Sequence, residues 1–409
     1  MTNGLSSPGA RRTRLQRVGH LNRRSILVLC LSGLLCNALS RASAPKQKKD
    51  EGEFSRYAGD SPSKALPYAT DLSPALRKKD VALALQKVAD WQLNKSQRHF
   101  DRDWTFAVLY TGFMAVPNEA GGERYRAAMK SMGESFHWSM GPNELDANDQ
   151  AIAQTYLALY ELDQNPDALR PIKERMDRMM LEPEVPGRNL WWWCDALFMS
   201  PPVLAELTRI THQQSYLDFM DRQWWKTSAE LYDQKQLLFF RDARFFTRHE
   251  LNGQSIFWSR GNGWVIGGLV KVLQAMPKDY PSRSAYVTQF QQMATALITA
   301  QRADGLWSAG LLDPVNHPMA ETSGTALITY GLAYGINEGM LDRNVYEPHV
   351  EKAWQGLVAH IYADGRLGAI QPVGDSPGKF KPTSSYVYGM GGFLLAGSEI
   401  YRMAGDQDK

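Results

Sequence analysis

The sequence predicts an all-α protein with the architecture of an (α/α)6 toroid, a double ring of six helical hairpins. Apolar residues recur with helical periodicity in twelve segments: roughly 79–94, 104–116, 122–137, 149–162, 166–181, 195–210, 214–231, 260–276, 283–302, 322–339, 344–362 and 386–403. Stretches rich in Pro, Gly and Asn, such as VPNEAGG and QPVGDSPGK, separate these segments. An open solenoid is the alternative, but the segments are too unequal in length for a regular repeat array.

Every second segment begins in an unusual way, behind a loop dense in aromatic, charged or glycine residues. These starts are Trp104, Asp149, Asp195, Arg260, Thr322 and Tyr386. If the even segments form the inner ring, their N-termini converge on one mouth of the barrel, where helix ends favour an anionic ligand. The one strand-like stretch, QLLFFRDARFF, predicts a short hairpin or extended loop before the eighth segment.

The first 44 residues have the features of an export signal. Several arginines precede the apolar run SILVLCLSGLLCNAL, and Ala42–Ala44 is a fitting cleavage site. The paired arginines of NRRSILV are compatible with a twin-arginine signal, with a Sec signal as the alternative. The protein is therefore expected to be exported, to the periplasm or outside the cell. Residues 45–75, rich in Lys, Ser and Pro, predict a flexible lead-in, and residues 76–409 a single domain.

Removal of this signal changes the charge of the chain. The signal contains seven arginines, so its removal leaves 39 basic residues against 43 acidic ones, a net charge of −4. Nucleic acid is therefore not an expected partner. No membrane span is expected in the mature form, and oligomeric state cannot be read from the sequence. Cys194 is then the remaining cysteine, and no Cys/His set has the spacing of a zinc site.

The stretch WWWCDALFMSPP places Asp195 behind three tryptophans at the start of the sixth segment. A capping aspartate is one interpretation. The alternative is a working acid, because apolar rings around a carboxyl raise its pKa toward the general-acid range. Trp193 is suited to stacking on a sugar ring, and its neighbour Trp192 is a second candidate for binding the substrate. Upstream, Asp146 and Asp149 form a pair of which one caps the fourth segment and the other projects into the mouth.

The stretch FWSRGNGWV contributes Arg260 and Trp264 around two glycines. Arginine is suited to bidentate carboxylate binding, whereas the spacing and the absence of a preceding strand argue against a phosphate loop. The small residues Gly324, Gly331 and Gly335 in ETSGTALITYGLAYGI indicate close packing of inner helices.

These motifs, with RLGAIQPVG, together resemble glycoside hydrolase family 105, the unsaturated rhamnogalacturonyl and glucuronyl hydrolases, from about Trp91 to Tyr401. The resemblance implies the same (α/α)6 fold, no metal or organic cofactor, and an acidic oligosaccharide substrate. Such an enzyme hydrates the C4–C5 double bond of the unsaturated uronic acid that a polysaccharide lyase leaves at the non-reducing end. The hemiketal then opens and the aglycone departs.

The resemblance assigns catalysis to Asp195 and Asp149, sugar stacking to Trp193, and binding of the uronate to Arg260 and Trp264. Where some members of the family have a histidine, in an LFYHD-like segment, this chain has Arg241. That fixed charge implies a substrate with more negative charge, such as a sulfated or longer acidic chain. The alternatives are another (α/α)6 enzyme, either an inverting glycosidase or a sugar epimerase, and an inactive glycan-binding protein.

Overall fold

The computed structural model describes residues 59–404, so the predicted signal over 1–44 and the part of the lead-in before Gly59 lie outside the described residues. The described chain is mainly helical. Its α-helices are α1 Lys78–Ser96, α2 Trp104–Ala115, α3 Gly122–Ser135, α4 Ala147–Gln150, α5 Ala153–Asp163, α6 Pro166–Leu181, α7 Ala196–Met199, α8 Pro201–Thr211, α9 Gln214–Leu231, α10 Ser259–Ala275, α11 Arg283–Thr299, α12 Thr322–Asn337, α13 Arg343–Ala359 and α14 Val387–Met403.

All twelve predicted helical segments are present. The fourth is divided into α4 and α5, and the sixth into α7 and α8. The second division has a clear cause: Pro201 has no N–H to continue the α7 ladder, and it occupies the first position of α8 instead. The predicted hairpin is also present, as β2 (Tyr232–Asp233) paired antiparallel with β3 (Leu238–Phe239).

Two concentric layers of helices build the toroid. The inner layer runs α2, α5, α8, α10, α12 and α14, each packed on the next, and α14 returns to pack on α2. Helices α1, α3, α6, α9, α11 and α13 lie outside, each against an inner helix. Inner helices are buried on nearly every side; in α12 every residue from Thr322 to Ile336 is buried. The ring is therefore closed, as the sequence predicted, rather than open like a solenoid.

Glycines allow the closure of the inner ring. A Cβ on Gly112 of α2 would lie 2.7 Å from the carbonyl oxygen of Gly391 on α14, and a Cβ on Gly391 would collide with the carbonyl of Val108. Gly324 and Gly331 make similar close approaches between α12 and α10. These contacts confirm the packing role expected for the small residues.

The segment that precedes α1 is held on the barrel over its described part. β1 (Gly59–Asp60) pairs antiparallel with β4 (Ser385–Tyr386) beside the start of α14. Asp60 forms a buried ion pair with Arg366, and Tyr68 stacks on Tyr362 with 4.6 Å between ring centroids. The described part of the predicted lead-in is therefore held on the helical barrel at Gly59–Asp60 and at Tyr68.

The described part of the chain has neither a membrane-spanning helix nor a cluster of metal-binding side chains. No helix within residues 59–404 combines the length and apolar composition needed to cross a membrane. Over the same residues, no three His, Cys, Asp or Glu side chains converge as a metal-binding group.

Gly391→Ala is expected to lower the stability of the protein, because the added methyl group meets the backbone of α2. Overpacking of this kind costs about 1–3 kcal/mol. Gly392→Ala is the matched control, since its Cβ would meet side-chain atoms at 3.4–3.6 Å, an ordinary contact. Thermal unfolding should show a lower Tm for Gly391→Ala alone; equal Tm values would contradict this account of ring closure.

Candidate active site

The N-terminal ends of the inner helices meet at one mouth. Trp104, at the start of α2, stacks on Tyr388 of α14 with 5.3 Å between centroids and lies edge-on to Trp264 of α10. Arg260 of α10 donates to the hydroxyl of Ser323 on α12 at 3.3 Å. These contacts join the first turns of helices distant in sequence, as the unusual helix starts predicted.

Asp195 lies directly before α7, but its side chain caps no backbone N–H. The residue is 8% exposed, with the Cys194 sulfur 3.4 Å from Oδ1 and Nε of Arg241 3.5 Å from Oδ2. Burial raises the pKa of Asp195, and the positive charge of Arg241 opposes part of that rise. A carboxyl group that is shielded from water and free of capping duty is suited to proton transfer.

The thiol of Cys194 contacts the carboxylate of Asp195. Its buried thiol lies within donating distance of Asp195 Oδ1 and of the carbonyl oxygen of Gly261, at 3.6 Å. Burial, with the negative charge of Asp195 next to it, raises the pKa of the thiol well above its usual range. The thiol therefore stays protonated, which fits a supporting role rather than a nucleophilic one.

Arg241 is held by an acid that the sequence analysis missed. Asp242 is 1% exposed and accepts hydrogen bonds from Nη1 of Arg241 and from the side chain of Arg244, each at 2.8 Å. The backbone carbonyl of Arg241 also accepts from the N–H of Cys194 at 2.8 Å. These bonds fix the guanidinium beside Asp195. The Arg-Asp-Ala-Arg order was the available signal, because a buried Asp needs such partners.

The structure separates the roles of Asp146 and Asp149. Asp146 caps α4 by accepting from the N–H of Asn148 at 2.9 Å, which leaves Asp149 as the acid free of capping. Oδ2 of Asp149 accepts from both the backbone N–H and the side-chain amide of Asn143, each at 2.7 Å. Within the described chain no hydrogen bond or ion pair joins Asp149 to Asp195, and its role as second acid stays a prediction.

Arg260 is placed differently from its expected role. The residue is 0% exposed, and its guanidinium donates to the carbonyl oxygens of Gln371 at 2.6 Å and Pro372 at 2.8 Å. It lies between the rings of Trp258 and Tyr388, 4.3 and 4.8 Å from their centroids. Binding of the uronate by Arg260 stays a prediction, and the contact that this structure shows is a clamp on the 371–372 segment.

Trp264 is likewise part of the core beneath the mouth. It is 1% exposed and packs against Phe198 with 5.1 Å between ring centroids, as well as against Trp104. Binding of the uronate by Trp264 stays a prediction; in this structure its ring is buried among aromatic side chains. The reason is that the first turn of α10 faces the ring interior, which the spacing of RGNGW did not reveal.

Glu321 organises the same clamp and was also missed as a site residue. Its fully buried carboxylate accepts from the N–H groups of Ser323 and Gly324 at the start of α12, and from the N–H of Gln371 at 2.9 Å. Four hydrogen bonds in all, including one from the Ser323 hydroxyl, satisfy the charge. The signal visible in the sequence was an acidic residue directly before an apolar helix, since a negative charge is stabilising near a helix N-terminus.

The tryptophan pair forms the edge of a neighbouring cleft. Trp192 is 41% exposed, whereas Trp193 is buried, and their rings lie 4.9 Å apart. The guanidinium of Arg241 lies 5.7 Å from the Trp192 ring centroid, a cation–π contact. Both tryptophans line a cleft of about 590 Å³ that does not include Asp195. The acid and the cleft are therefore adjacent sites, with Arg241 between them.

Comparison with known proteins identifies the family. Residues 84–404 match the model described as Glycosyl Hydrolase Family 88, and the chain belongs to that family. An unsaturated 3S-rhamnoglycuronyl hydrolase of Formosa agariphila is 39% identical over 319 residues, 74% of this chain and 85% of that protein. Another, from an Alteromonas species, is 30% identical over 414 residues, 93% of this chain and 99% of that protein.

A solved structure supports the same assignment. The glycosyl hydrolase family 88 protein from Bacteroides vulgatus has a TM-score of 0.76 at 32% identity, covering 80% of this chain and 99% of that chain. The predicted toroid and the predicted kinship with unsaturated uronyl hydrolases are thereby confirmed. The protein is a glycoside hydrolase.

Asp195→Asn is expected to reduce the rate of hydrolysis by about 10²–10⁴-fold, because the amide cannot supply a proton. The fold should persist, since the side chain caps no helix. Asp279→Asn, at an exposed loop position, is the control. Steady-state kinetics and Tm of both variants test this, and near-normal kcat in a folded Asp195→Asn protein would remove Asp195 from the mechanism.

Arg241→Gln is expected to shift the pH dependence of activity. Loss of the guanidinium removes the charge that lowers the pKa of Asp195, so that pKa rises. If the protonated acid is the active form, the limb of the kcat/KM profile that falls with rising pH moves to higher pH. Arg244→Gln is the control, since Arg244 contacts Asp242 but not Asp195. A limb that stays in place or moves to lower pH would contradict the assignment.

Proposed function

We propose that this member of glycosyl hydrolase family 88 removes a 4,5-unsaturated uronic acid from the non-reducing end of an acidic oligosaccharide. One observation carries the proposal: Asp195 is a buried acid with a raised pKa, fixed beside the cation of Arg241. The two relatives described as unsaturated 3S-rhamnoglycuronyl hydrolases support it, one of them over 93% of this chain.

The proposed reaction is a hydration that ends in loss of the aglycone. Asp195 donates its proton to C4 of the vinyl ether, and positive charge develops at C5, where the ring oxygen shares it. Water adds at C5 and returns a proton to the Asp195 carboxylate, which regenerates the acid. The hemiketal opens to a ketone, and the hemiacetal left at C1 releases the aglycone alcohol.

Electrostatics at the acid fit these two steps. Burial raises the pKa of Asp195, which favours the protonated form that the first step needs. After transfer, the guanidinium of Arg241 stabilises the carboxylate at 3.5 Å, so the same residue can take the proton of the attacking water. Asp149, whose carboxylate accepts two hydrogen bonds from Asn143, is proposed as the second acid that holds this water.

We further propose that the aglycone sugar is a rhamnose that carries a sulfate at O3, as the names of the relatives indicate. Arg241 supports this substrate. Its Nη1 is taken by Asp242 and its Nε faces Asp195, which leaves Nη2 without a hydrogen-bond partner among residues 59–404. A fixed cation with a free donor is suited to an anionic substituent next to the reacting uronate.

The rival functions are less well supported. A glycan-binding protein has no need of a buried acid with a raised pKa, and a sugar epimerase of the toroid class is expected to use paired histidines at the mouth, where the motifs contain none.

We also propose export of the mature protein, on the strength of the arginine-rich segment and apolar run before Ala44. Sequencing the N-terminus of the protein recovered from outside the cytoplasm would test this.

The activity is tested by following ultraviolet absorbance of the conjugated double bond. Three lyase products serve as substrates, in which the unsaturated uronate is followed by rhamnose 3-sulfate, by unsulfated rhamnose or by an amino sugar. Absorbance should fall fastest with the sulfated product, and Asp195→Asn should leave it unchanged. In Arg241→Gln, the ratio of kcat/KM for the sulfated over the unsulfated rhamnose substrate should fall by about tenfold or more. That is the effect expected when a hydrogen bond to a charged group is lost. Unchanged absorbance with all three substrates would refute the function.

A further inference from the structure

A second cleft lies in the outer layer of the toroid, between helices α9 and α11, and the proposed reaction does not use it. Its volume is about 550 Å³, which is the size of a small-molecule binding site. On the α9 side its lining includes Trp225, Ser228, Ala229 and Tyr232, and this spacing puts all four residues on one face of the helix. We call this cleft the outer groove.

Hydrogen bonds between α9 and α11 fix the floor of the outer groove. Gln289 of α11 accepts from the indole N–H of Trp224 at 2.9 Å and donates to the hydroxyl of Ser228 at 3.3 Å. The hydroxyl of Tyr232 donates to Oε1 of Gln292 at 3.0 Å. The floor is therefore held by side chains from both helices, which makes the groove a built feature rather than a gap between loosely packed helices.

Two aromatic rings line the outer groove, and each is held by other residues. The indole N–H of Trp225 donates to Asp221 at 2.9 Å, and its ring packs against Tyr286 with 5.0 Å between centroids. The ring of Tyr232 packs against Phe239, also with 5.0 Å between centroids. Because Trp225 is only partly buried, some of its ring stays accessible in the groove. A fixed aromatic surface of this kind is suited to the C–H face of a sugar ring.

The polar groups of the outer groove are amides and hydroxyls, and several have no partner. Within residues 59–404 the side chains of Gln234 and Ser284 form no hydrogen bond, and Nε2 of Gln292 donates to no acceptor. Gln234 and Ser284 are both exposed at the rim. Amides and hydroxyls can donate and accept, as the hydroxyl groups of a sugar do, so these side chains can pair with either role of a sugar hydroxyl.

No residue that lines the outer groove in the described chain is charged. Of the charged residues next to it in sequence, Glu230 and Asp233 accept hydrogen bonds from other residues, and Arg283 donates to backbone carbonyls near the end of α10. Lys235, in the turn of the β2–β3 hairpin, is not a lining residue. A carboxylate or sulfate in the groove would therefore lose hydration without gaining a cation from the lining, which favours a neutral ligand.

Helix α9 separates the outer groove from the cleft beside the tryptophan pair. It presents Phe219 and Lys226 to that cleft, and Trp225 and Ser228 to the outer groove. The two sites share no lining residue. Since a helix with its side chains is about 10 Å across, they lie on either side of a single helix.

We propose that the outer groove is a second, non-catalytic carbohydrate site that binds a neutral pyranose residue. The sugar ring lies on Trp225, and its hydroxyl groups pair with Gln234, Ser284 and Gln292. A site of this kind holds the protein on a glycan without taking part in hydrolysis. The inference goes beyond the proposed function and does not depend on it, because the groove contains none of the residues assigned to the reaction.

Saturation-transfer NMR on the full protein tests the proposal. The neutral probes are the methyl glycosides of rhamnose, xylose and glucose, and methyl glucuronide is the acidic probe. At least one neutral probe should receive saturation at its ring protons. Ala285→Trp places an indole in the groove from an exposed position of α11 and should raise the Kd of that probe by about tenfold or more, because the volume for the sugar is filled. Trp225→Ala should raise the Kd by about two- to tenfold, the value of one aromatic contact.

Ala127→Trp is the matched control, since Ala127 is exposed on the outer helix α3 and does not line the groove. It should leave the Kd unchanged, as should Trp192→Ala in the neighbouring cleft, and Tm measurements should show that the variants are folded. The proposal is overturned if no neutral probe binds, or if binding is unchanged in folded Ala285→Trp protein. Binding of methyl glucuronide that Ala285→Trp abolishes would overturn the choice of a neutral sugar. Hydrolysis is not the readout, so each result is independent of the proposed function.

Discussion

Closure of the inner ring is the constraint on which the rest of this structure depends. Six inner helices meet in a circle only where their backbones approach closely, and Gly112, Gly391 and Gly324 lie at such approaches. The interior leaves no room for larger side chains at these points, because protein cores are close-packed. Once the ring is closed, the first turns of the inner helices must face one another, and that convergence creates the mouth.

Convergence brings buried charges together, and each charge needs partners. Glu321 is satisfied by donors at the start of α12 and by Gln371, while Arg260 donates to the carbonyls of Gln371 and Pro372. Tyr388 adds a further hydrogen bond to the Gln371 carbonyl at 2.6 Å. A buried ionic group left without such bonds would be strongly destabilising, so these hydrogen bonds fix the 371–372 segment at the mouth.

Asp195 experiences two opposing influences, and its chemistry depends on their balance. Burial favours the protonated form, whereas Arg241 favours the ionised form. An acid that must donate a proton and later accept one benefits from a pKa between these extremes. Asp242 sets the balance indirectly, since its contacts decide where the Arg241 guanidinium lies. The arginine thereby connects the carboxylate of Asp195 to the buried carboxylate of Asp242.

By itself, the sequence determined the helical segments, their pairing into hairpins, the mouth and the candidate acid, because periodicity, breakers and capping residues act within a few neighbouring residues. Asp195 and the tryptophans before it could be recognised in this way. Only the tertiary structure decided that Arg260 is a buried clamp, since its partner Gln371 is 111 residues away in the chain. It also decided that Asp146 rather than Asp149 caps α4, and that Asp242 fixes Arg241. Burial and hydrogen-bond partners are set by contacts between distant segments, and no local pattern in the sequence encodes them.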